Sequence, residues 1–262
     1  MHIRPIKNLG QSFLTYEPAA DQLVAALRLT REDEVIEIGP GKGVLTVRLL
    51  RLARSVTAVE IDPRLVGHLE QTLGQASNLR VVLQDALEFD FSGFRDAKVV
   101  GNLPYNVASQ VLFRLLANLP SWRFGVFTLQ REFALRLLAS PGTREYGAVT
   151  VQFALDTECR RLFNLPPECF KPSPDVTSTA ISLRRRHEPL AAVIDRRQFV
   201  RVVKASFAQR RKTLGNNLRA AFGVDRAALA QVEQASGIEL RRRAETLTVE
   251  EFARLSRELS LT

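Results

Sequence analysis

Residues 34–46, EVIEIGPGKGVLT, read as a buried strand that turns on glycine into a helix. Val35, Ile36 and Ile38 form an apolar run broken only by Glu37, and Gly39-Pro40-Gly41-Lys42-Gly43 follows. A turn leaving the carboxyl end of a strand favours glycine for two reasons: positive φ is free there, and a ligand can lie against bare backbone. The motif is not the dinucleotide fingerprint, because the third glycine of GxGxxG would fall on Val44. The GxxxxGK[ST] pattern of a phosphate loop is also missing.

Working outward, the pattern repeats. SVTAVEID (55–62), LRVVLQD (79–85), AKVVGNLPY (97–105) and FGVFTLQ (124–130) read as further strands. Amphipathic stretches at 18–29, 43–53, 63–74, 107–118 and 131–139 separate them. Buried strands alternating with helices predict an α/β fold, a mostly parallel sheet covered by helices on both faces. Strand-like runs at 148–157 and 177–184 flank NLPPECFKPSP (164–174) and predict an antiparallel hairpin at the sheet edge. Beyond Arg184–Arg186 the spacing turns helical: Phe199, Val202, Val203, Phe207 and Leu214, then Leu229, Val232 and Ile238, then Phe252, Leu255 and Leu259. Thr248 and Glu251 form a capping-box pattern for the last helix. The predicted domains are 1–186 and a small all-helical 187–262.

Composition narrows the classes. Of 262 residues, 45% are hydrophobic and 25% charged, an ordinary globular composition. No window is long and apolar enough to span a membrane, and MHIRPIKNLGQSFL lacks the apolar core of a secretory signal. Cys159 and Cys169 are the only cysteines and form no CxxC, which fits a reducing cytoplasm and no bound metal. Net charge is +9, of which residues 184–262 carry +8 and residues 1–183 only +1. Surplus Lys and Arg on one folded element predict a polyanionic partner, nucleic acid above all.

The strand ends carry the chemistry. Glu60 ends the second strand, where a carboxylate can accept two ribose hydroxyls. Asp85 ends the third, within reach of an adenine amine. Glycines, ribose acid and adenine acid on one rim suit a nucleoside without a pyrophosphate, and S-adenosylmethionine fits that description. Strand four runs into Asn102-Leu103-Pro104-Tyr105. An aromatic exocyclic amine is a poor nucleophile because its lone pair is delocalised. Hydrogen bonds from its two N–H groups to the Asn102 side-chain oxygen and to the Leu103 or Pro104 carbonyl would localise that pair. Tyr105 offers a face on which the base can stack, worth roughly 1–3 kcal/mol. A sulfonium donor is already activated, so alignment is the main requirement and no general base is needed before attack.

These residues resemble a known family. NLGQSFL (8–14), EIGPGKGVLT (37–46), VEID (59–62), QDAL (84–87), GNLPYN (101–106), REYGAVTVQ (144–152), FKPSPDVTS (170–178) and FAQRRKTLGNNL (207–218) are similar to the rRNA adenine N6,N6-dimethyltransferases, nearest the KsgA-type small-subunit enzymes. The resemblance implies a class I, Rossmann-like methyltransferase fold with a seven-stranded, mostly parallel sheet and a small helical RNA-binding domain. It implies S-adenosylmethionine as donor, S-adenosylhomocysteine as product, and 16S rRNA as substrate within a pre-30S particle in the cytoplasm. Two adjacent adenosines near the 3′ end would be dimethylated; apart from the resemblance, a monomer is the default expectation, and the lack of an apolar window predicts no membrane partner. Implied donor contacts are Ser12, Leu14, Gly39, Gly41, Glu60, Ile61, Asp85, Ala86 and Asn102, with Gln11 helping to close the site. The implied catalytic set is Asn102, Leu103, Pro104, Tyr105 and Phe170, the target adenine lying between Tyr105 and an exposed Phe170 ring. Arg210, Arg211, Lys212, Arg241, Arg242 and Arg243 would contact phosphates. Position 12 departs from the family, which usually has asparagine or histidine there.

Three other readings fit less well. A large-subunit, macrolide-resistance-type methyltransferase shares most motifs, but GNLPYN and QRRKTLGNN favour the small-subunit type. A non-catalytic, methyltransferase-like nucleic-acid-binding factor sits poorly with intact Glu60, Asp85 and Asn102–Tyr105. A nicotinamide dehydrogenase lacks its third glycine and its catalytic set.

Overall fold

The computed structural model describes residues 3–6 and 9–259; Asn8, first in the NLGQSFL motif, lies outside the described residues. The chain runs β1 (Phe13–Leu14), α1 (Glu17–Ala26), β2 (Glu34–Ile38), α2 (Thr46–Leu52), β3 (Ser55–Glu60), α3 (Pro63–Leu73), β4 (Leu79–Leu83), β5 (Ala97–Asn102) and α4 (Ala108–Ala117). Next come β6 (Trp122–Gln130), α5 (Arg131–Leu138), α6 (Ala148–Asp156), β7 (Thr157–Leu165), β8 (Phe170–Lys171) and β9 (Ser178–Arg185). Four helices complete it: α7 (Arg196–Ser206), α8 (Leu214–Phe222), α9 (Arg226–Ser236) and α10 (Val249–Glu258).

Seven strands form one sheet in the order β4-β3-β2-β5-β6-β9-β7. Neighbours from β4 to β6 are parallel, and β9 is antiparallel to β6. Val35, Ile36, Ile38, Val99 and Val100 are almost wholly buried, as strands covered on both faces require. β2 carries β3 on one side and β5 on the other, so the winding direction reverses between β2 and β5. The carboxyl ends of strands part at such a reversal and leave a crevice. The opposite edge is pinned by Asp33, which accepts bonds from the Thr30 amide (2.6 Å), Lys98 Nζ (3.0 Å) and Arg123 Nη2 (2.5 Å). Burial alone would raise its pKa, but the Thr30 amide and Lys98 outweigh that and hold it at about 2.

The chain divides into two compact units, residues 1–134 with 159–185 and residues 135–158 with 186–262. The second therefore takes in 135–158, which the sequence reading places in the first domain. The reason is apolar: Tyr146, Val151 and Leu155 share one buried cluster with Phe199, Val202 and Phe252. The Tyr146 hydroxyl also donates to the Leu247 carbonyl at 2.9 Å.

The strand predicted over 148–157 is instead helix α6, and the strand follows it as β7. From Thr150 to Asp156, α6 buries every residue except Ala154, so no polar face marks its period. A buried apolar run does not separate helix from strand by periodicity. At α10 the expected capping box is present: the Glu251 amide donates to Thr248 Oγ1 (3.3 Å) and the Thr248 amide to Glu251 Oε2 (2.8 Å).

Candidate active site

The crevice is a cleft of ≈ 1030 Å³, counting the part open to solvent. Every residue expected to touch the donor lines it: Gln11, Ser12, Leu14, Gly39, Gly41, Glu60, Ile61, Asp85, Ala86 and Asn102. They come from the N-terminal segment and the ends of β2, β3, β4 and β5, far apart in sequence but adjacent on one rim.

The turn after β2 is bare where a ligand needs it bare. Gly39 has φ +67° and no atom within 4 Å of where a Cβ would stand, so its backbone faces open space. Gly41 has φ +57°, and a Cβ there would meet the Phe13 ring at 3.0 Å. Its amide donates to Glu60 Oε2 (3.1 Å), while Glu60 Oε1 accepts from the Ile61 and Asp62 amides, both at 3.0 Å. Burial raises the pKa of Glu60 despite these three bonds. The acid expected to hold a ribose thus also ties the glycine turn to the start of α3. Asp85 Oδ1 accepts from the Leu87 amide at 2.8 Å, and its Oδ2 has no partner among the described residues.

The N-terminal segment is sewn across the cleft. Gln11 Nε2 donates to Asp62 Oδ2 (2.9 Å), and Gln11 Oε1 accepts from the Ile6 amide (2.7 Å). Asp62 caps α3, accepting from the Arg64 amide at 3.0 Å; the Arg64 side chain, against burial, holds its pKa at about 2. β1 pairs antiparallel with β8, Phe13 opposite Lys171 and Leu14 opposite Phe170. Sequence reasoning gave Asp62 no role, although Asp followed by Pro63 at a helix start is a readable cap.

At the end of β5, Asn102 Nδ2 donates to the Ser12 carbonyl at 2.9 Å. That fixes which end of the amide is which and leaves Oδ1 as the acceptor. The two carbonyls proposed as second acceptor differ. Pro104 O already takes the Val107 (3.1 Å) and Ala108 (2.9 Å) amides at the entry to α4. Leu103 O takes no bond among the described residues and is open to accept one. The Leu103 side chain is buried, and Pro104 lines the cleft with its ring. Tyr105 is half-buried, its hydroxyl hydrogen-bonded to Ser178 Oγ at the first residue of β9. Burial raises its pKa.

Phe170 corrects the expectation of an exposed ring. It is 4% exposed and packs in a cluster with Leu14, Leu165 and Cys169. Its pairing with Leu14 draws it into the core, which a Pro-rich loop sequence does not reveal.

Glu37 was passed over as a strand residue. It lines the cleft and is wholly buried, with the Thr46 hydroxyl and amide as its polar neighbours, and among the described residues neither of its oxygens completes a hydrogen bond of full geometry. Burial pushes its carboxyl up to about 8, with help from the Glu60 charge. The Thr46 hydroxyl and amide lean towards the carboxyl and favour its ionised form, but burial outweighs them.

In the helical unit, Arg210, Arg211 and Lys212 are exposed in the segment after α7. Asn217, buried in α8, shapes that segment by donating to the Ser206 (2.7 Å) and Gln209 (3.1 Å) carbonyls. The Leu214 amide donates to the Arg242 carbonyl at 2.8 Å, bringing the 240–243 segment alongside. Arg242 is not a free cation: it forks Glu251 at 2.6 and 3.1 Å and bonds the Thr246 carbonyl. Arg241 pairs with Glu239 at 2.9 Å, and Arg210 donates to the Arg144 and Tyr146 carbonyls. Arg211, Lys212 and Arg243 are exposed with no ion pair among the described residues. Among the described residues no group of three or more His, Cys, Asp or Glu side chains converges as for a metal, and no helix is long and apolar enough to cross a membrane.

A family model described as ribosomal RNA adenine dimethylase matches residues 4–260. The chain belongs to the ribosomal RNA adenine dimethylase family. It is 42% identical over 264 residues to a ribosomal RNA small subunit methyltransferase A of a Geobacillus species, covering 97% of this chain and 91% of that protein. The counterpart of the same name in Clostridium botulinum is 39% identical, covering 95% and 92%. Among solved structures, a dimethyladenosine transferase from Plasmodium falciparum superposes with a TM-score of 0.80, 24% identity, and 95% and 98% of the two chains. The 23S rRNA methyltransferase ErmE gives 0.73, 27% identity, and 95% and 99%. The α/β fold with its seven-stranded, mostly parallel sheet is the class I methyltransferase fold of this family.

Proposed function

We propose that the cleft binds S-adenosylmethionine and that Asn102, Leu103 and Tyr105 present an adenine N6 to it. The protein is an rRNA adenine dimethyltransferase of the small subunit. The observation that carries the site assignment is the rim itself, where bare Gly39, Glu60, Asp85 Oδ2, Asn102 Oδ1 and the Leu103 carbonyl, the Asp85 and Leu103 oxygens unpaired among the described residues, share one edge of the sheet. This donor set fits a nucleoside joined to an amino acid: acids for ribose and adenine, bare backbone beside them, and the buried Glu37 carboxyl lining the same cleft.

When bound, the donor supplies a methyl group on a sulfonium. The residues of this chain align the acceptor. Tyr105 stacks the base, which must leave its own helix to be reached. Asn102 Oδ1 and Leu103 O accept its two N6–H bonds and localise the nitrogen lone pair. As nitrogen gains the methyl carbon its N–H becomes strongly acidic, and the proton departs to water. Arg211, Lys212 and Arg243 hold phosphates, which makes binding steeply salt-dependent. We place the enzyme in the cytoplasm as a monomer acting on 16S rRNA within a pre-30S particle. Mass spectrometry of nucleosides from both ribosomal RNAs, incubated with donor and protein, is expected to show N6,N6-dimethyladenosine gained in the small subunit only. Gain in the large subunit instead would reverse the choice of substrate.

A further inference from the structure

Asparagine is an ambiguous catalytic group. Its two amide ends are nearly the same shape, and only one accepts a hydrogen bond. If the amide of Asn102 turned over, its NH2 would face the N–H groups of the adenine amine, and the acceptor would be lost. Whatever fixes the amide therefore decides whether the centre works. The fixing partner is the Ser12 carbonyl, 2.9 Å from Nδ2. A carbonyl has no donor, so it tolerates only the productive orientation.

That carbonyl is held in turn. Ser12 Oγ donates to the Pro172 carbonyl at 2.8 Å, on the loop that follows β8. Residue 12 lies between Gln11, latched to Asp62, and Phe13, paired with Lys171. The peptide at residue 12 is thus fixed on both chain sides and through its own side chain. The hydroxyl is spent on Pro172, so the side chain is engaged within the protein.

We propose that Ser12 is a positioning residue, whose carbonyl sets the polarity of the Asn102 amide and whose hydroxyl anchors that carbonyl to Pro172. The proposal rests on the reading of Asn102 Oδ1 as the N6 acceptor. It assigns the Ser12 side chain to the reaction centre and not to donor affinity, which the resemblance alone would have suggested.

The test compares Ser12→Ala, Ser12→Thr and Asn102→Ala in the full-length protein, on small-subunit RNA with S-adenosylmethionine. Turnover, donor Kd by calorimetry and melting temperature are measured for each. Ser12→Ala is expected to lower kcat by about 10-fold, the factor equivalent to one orienting hydrogen bond. Donor Kd and melting temperature should stay near wild type. Ser12→Thr keeps a hydroxyl and is expected to restore kcat. Wild-type kcat in Ser12→Ala overturns the proposal. So does a loss that lies wholly in donor Kd, or one that threonine does not rescue. Asn102→Ala separates the layers: if it turns over at the wild-type rate, the acceptor reading itself fails, whereas an inactive Asn102→Ala beside an unaffected Ser12→Ala sinks only the role of Ser12.

Discussion

Replacing Glu37 by glutamine tests the electrostatics of the cleft floor. The carboxyl is wholly buried, and burial pushes it up to about 8 from its ordinary 4.5 against the opposing pull of Thr46. The folded protein therefore carries Glu37 protonated over a range where the unfolded chain ionises it. Such a group contributes fully below the unfolded pKa, and its contribution is lost as pH rises to the folded one. At about 1.4 kcal/mol per pH unit, the interval from 4.5 to 8 amounts to roughly 4–5 kcal/mol. Glutamine has the same shape and no charge at either pH. Its amide N–H group has Thr46 Oγ1 as a neighbouring acceptor, and any donor left unsatisfied costs about 1–3 kcal/mol. Urea unfolding of both proteins from pH 4.5 to 8.5 gives the comparison. Titrating groups uncoupled to Glu37 are common to the two and cancel in the difference; Glu60, whose charge acts on Glu37, is the neighbour that does not. Glu37→Gln should gain on wild type by about 1 kcal/mol or more per pH unit between pH 5 and 8, ending more stable at pH 8. A stability difference that stays flat across this range would refute a neutral, buried Glu37.

Three further outcomes follow from the same geometry. Glu60→Ala removes the ribose acceptor together with the bonds to Gly41, Ile61 and Asp62. Donor affinity should fall at least about 10-fold, as for a loss of 1.4 kcal/mol or more, with RNA affinity little changed; unchanged donor titration would remove Glu60 from the site. Tyr105→Phe loses the Ser178 contact but keeps the stacking face, so it should retain more turnover than Tyr105→Ala. A melting temperature that collapses in Tyr105→Ala would instead mark a core residue. Reversing Arg211, Lys212 and Arg243 to glutamate should weaken RNA binding and flatten its salt dependence, each lost phosphate contact taking about 0.7–0.9 from the log–log slope. Donor binding should not move; an unaltered slope would place the RNA elsewhere.

Much of this was readable from residues because the strand ends carry local signals. The runs read at 34–39, 55–62 and 97–105 are apolar and short, with Gly, Asp or Asn near their ends, and the strands observed are 34–38, 55–60 and 97–102. Gly39, Glu60, Asp85 and Asn102 could be picked out because each sits at or just past a strand end, whereas Gln11, Ser12 and Leu14 lie on the N-terminal segment and were suggested only by the family resemblance. What escaped was decided by tertiary contact. α6 is buried too evenly to show a helical period, and Phe170 is drawn inward by a two-residue pairing with Leu14. Arg242 is committed to Glu251, nine positions along and across a turn. The preference for the Leu103 over the Pro104 carbonyl depends on two amides of the following helix, which no spacing rule exposes. Glu37 looked like an interruption in a strand, and only its burial and its place in the cleft lining mark it as a feature of the cleft.

The central claim is that one edge of a parallel sheet brings a sulfonium methyl group up to an adenine N6 held by the acceptors on Asn102 and Leu103. A crystal structure with S-adenosylhomocysteine bound tests it most directly. The account places the ribose hydroxyls on Glu60, the adenine amine on Asp85, and the sulfur facing Asn102 Oδ1 and Leu103 O. Density for the ligand outside this cleft, or a sulfur pointing away from Asn102, would contradict it.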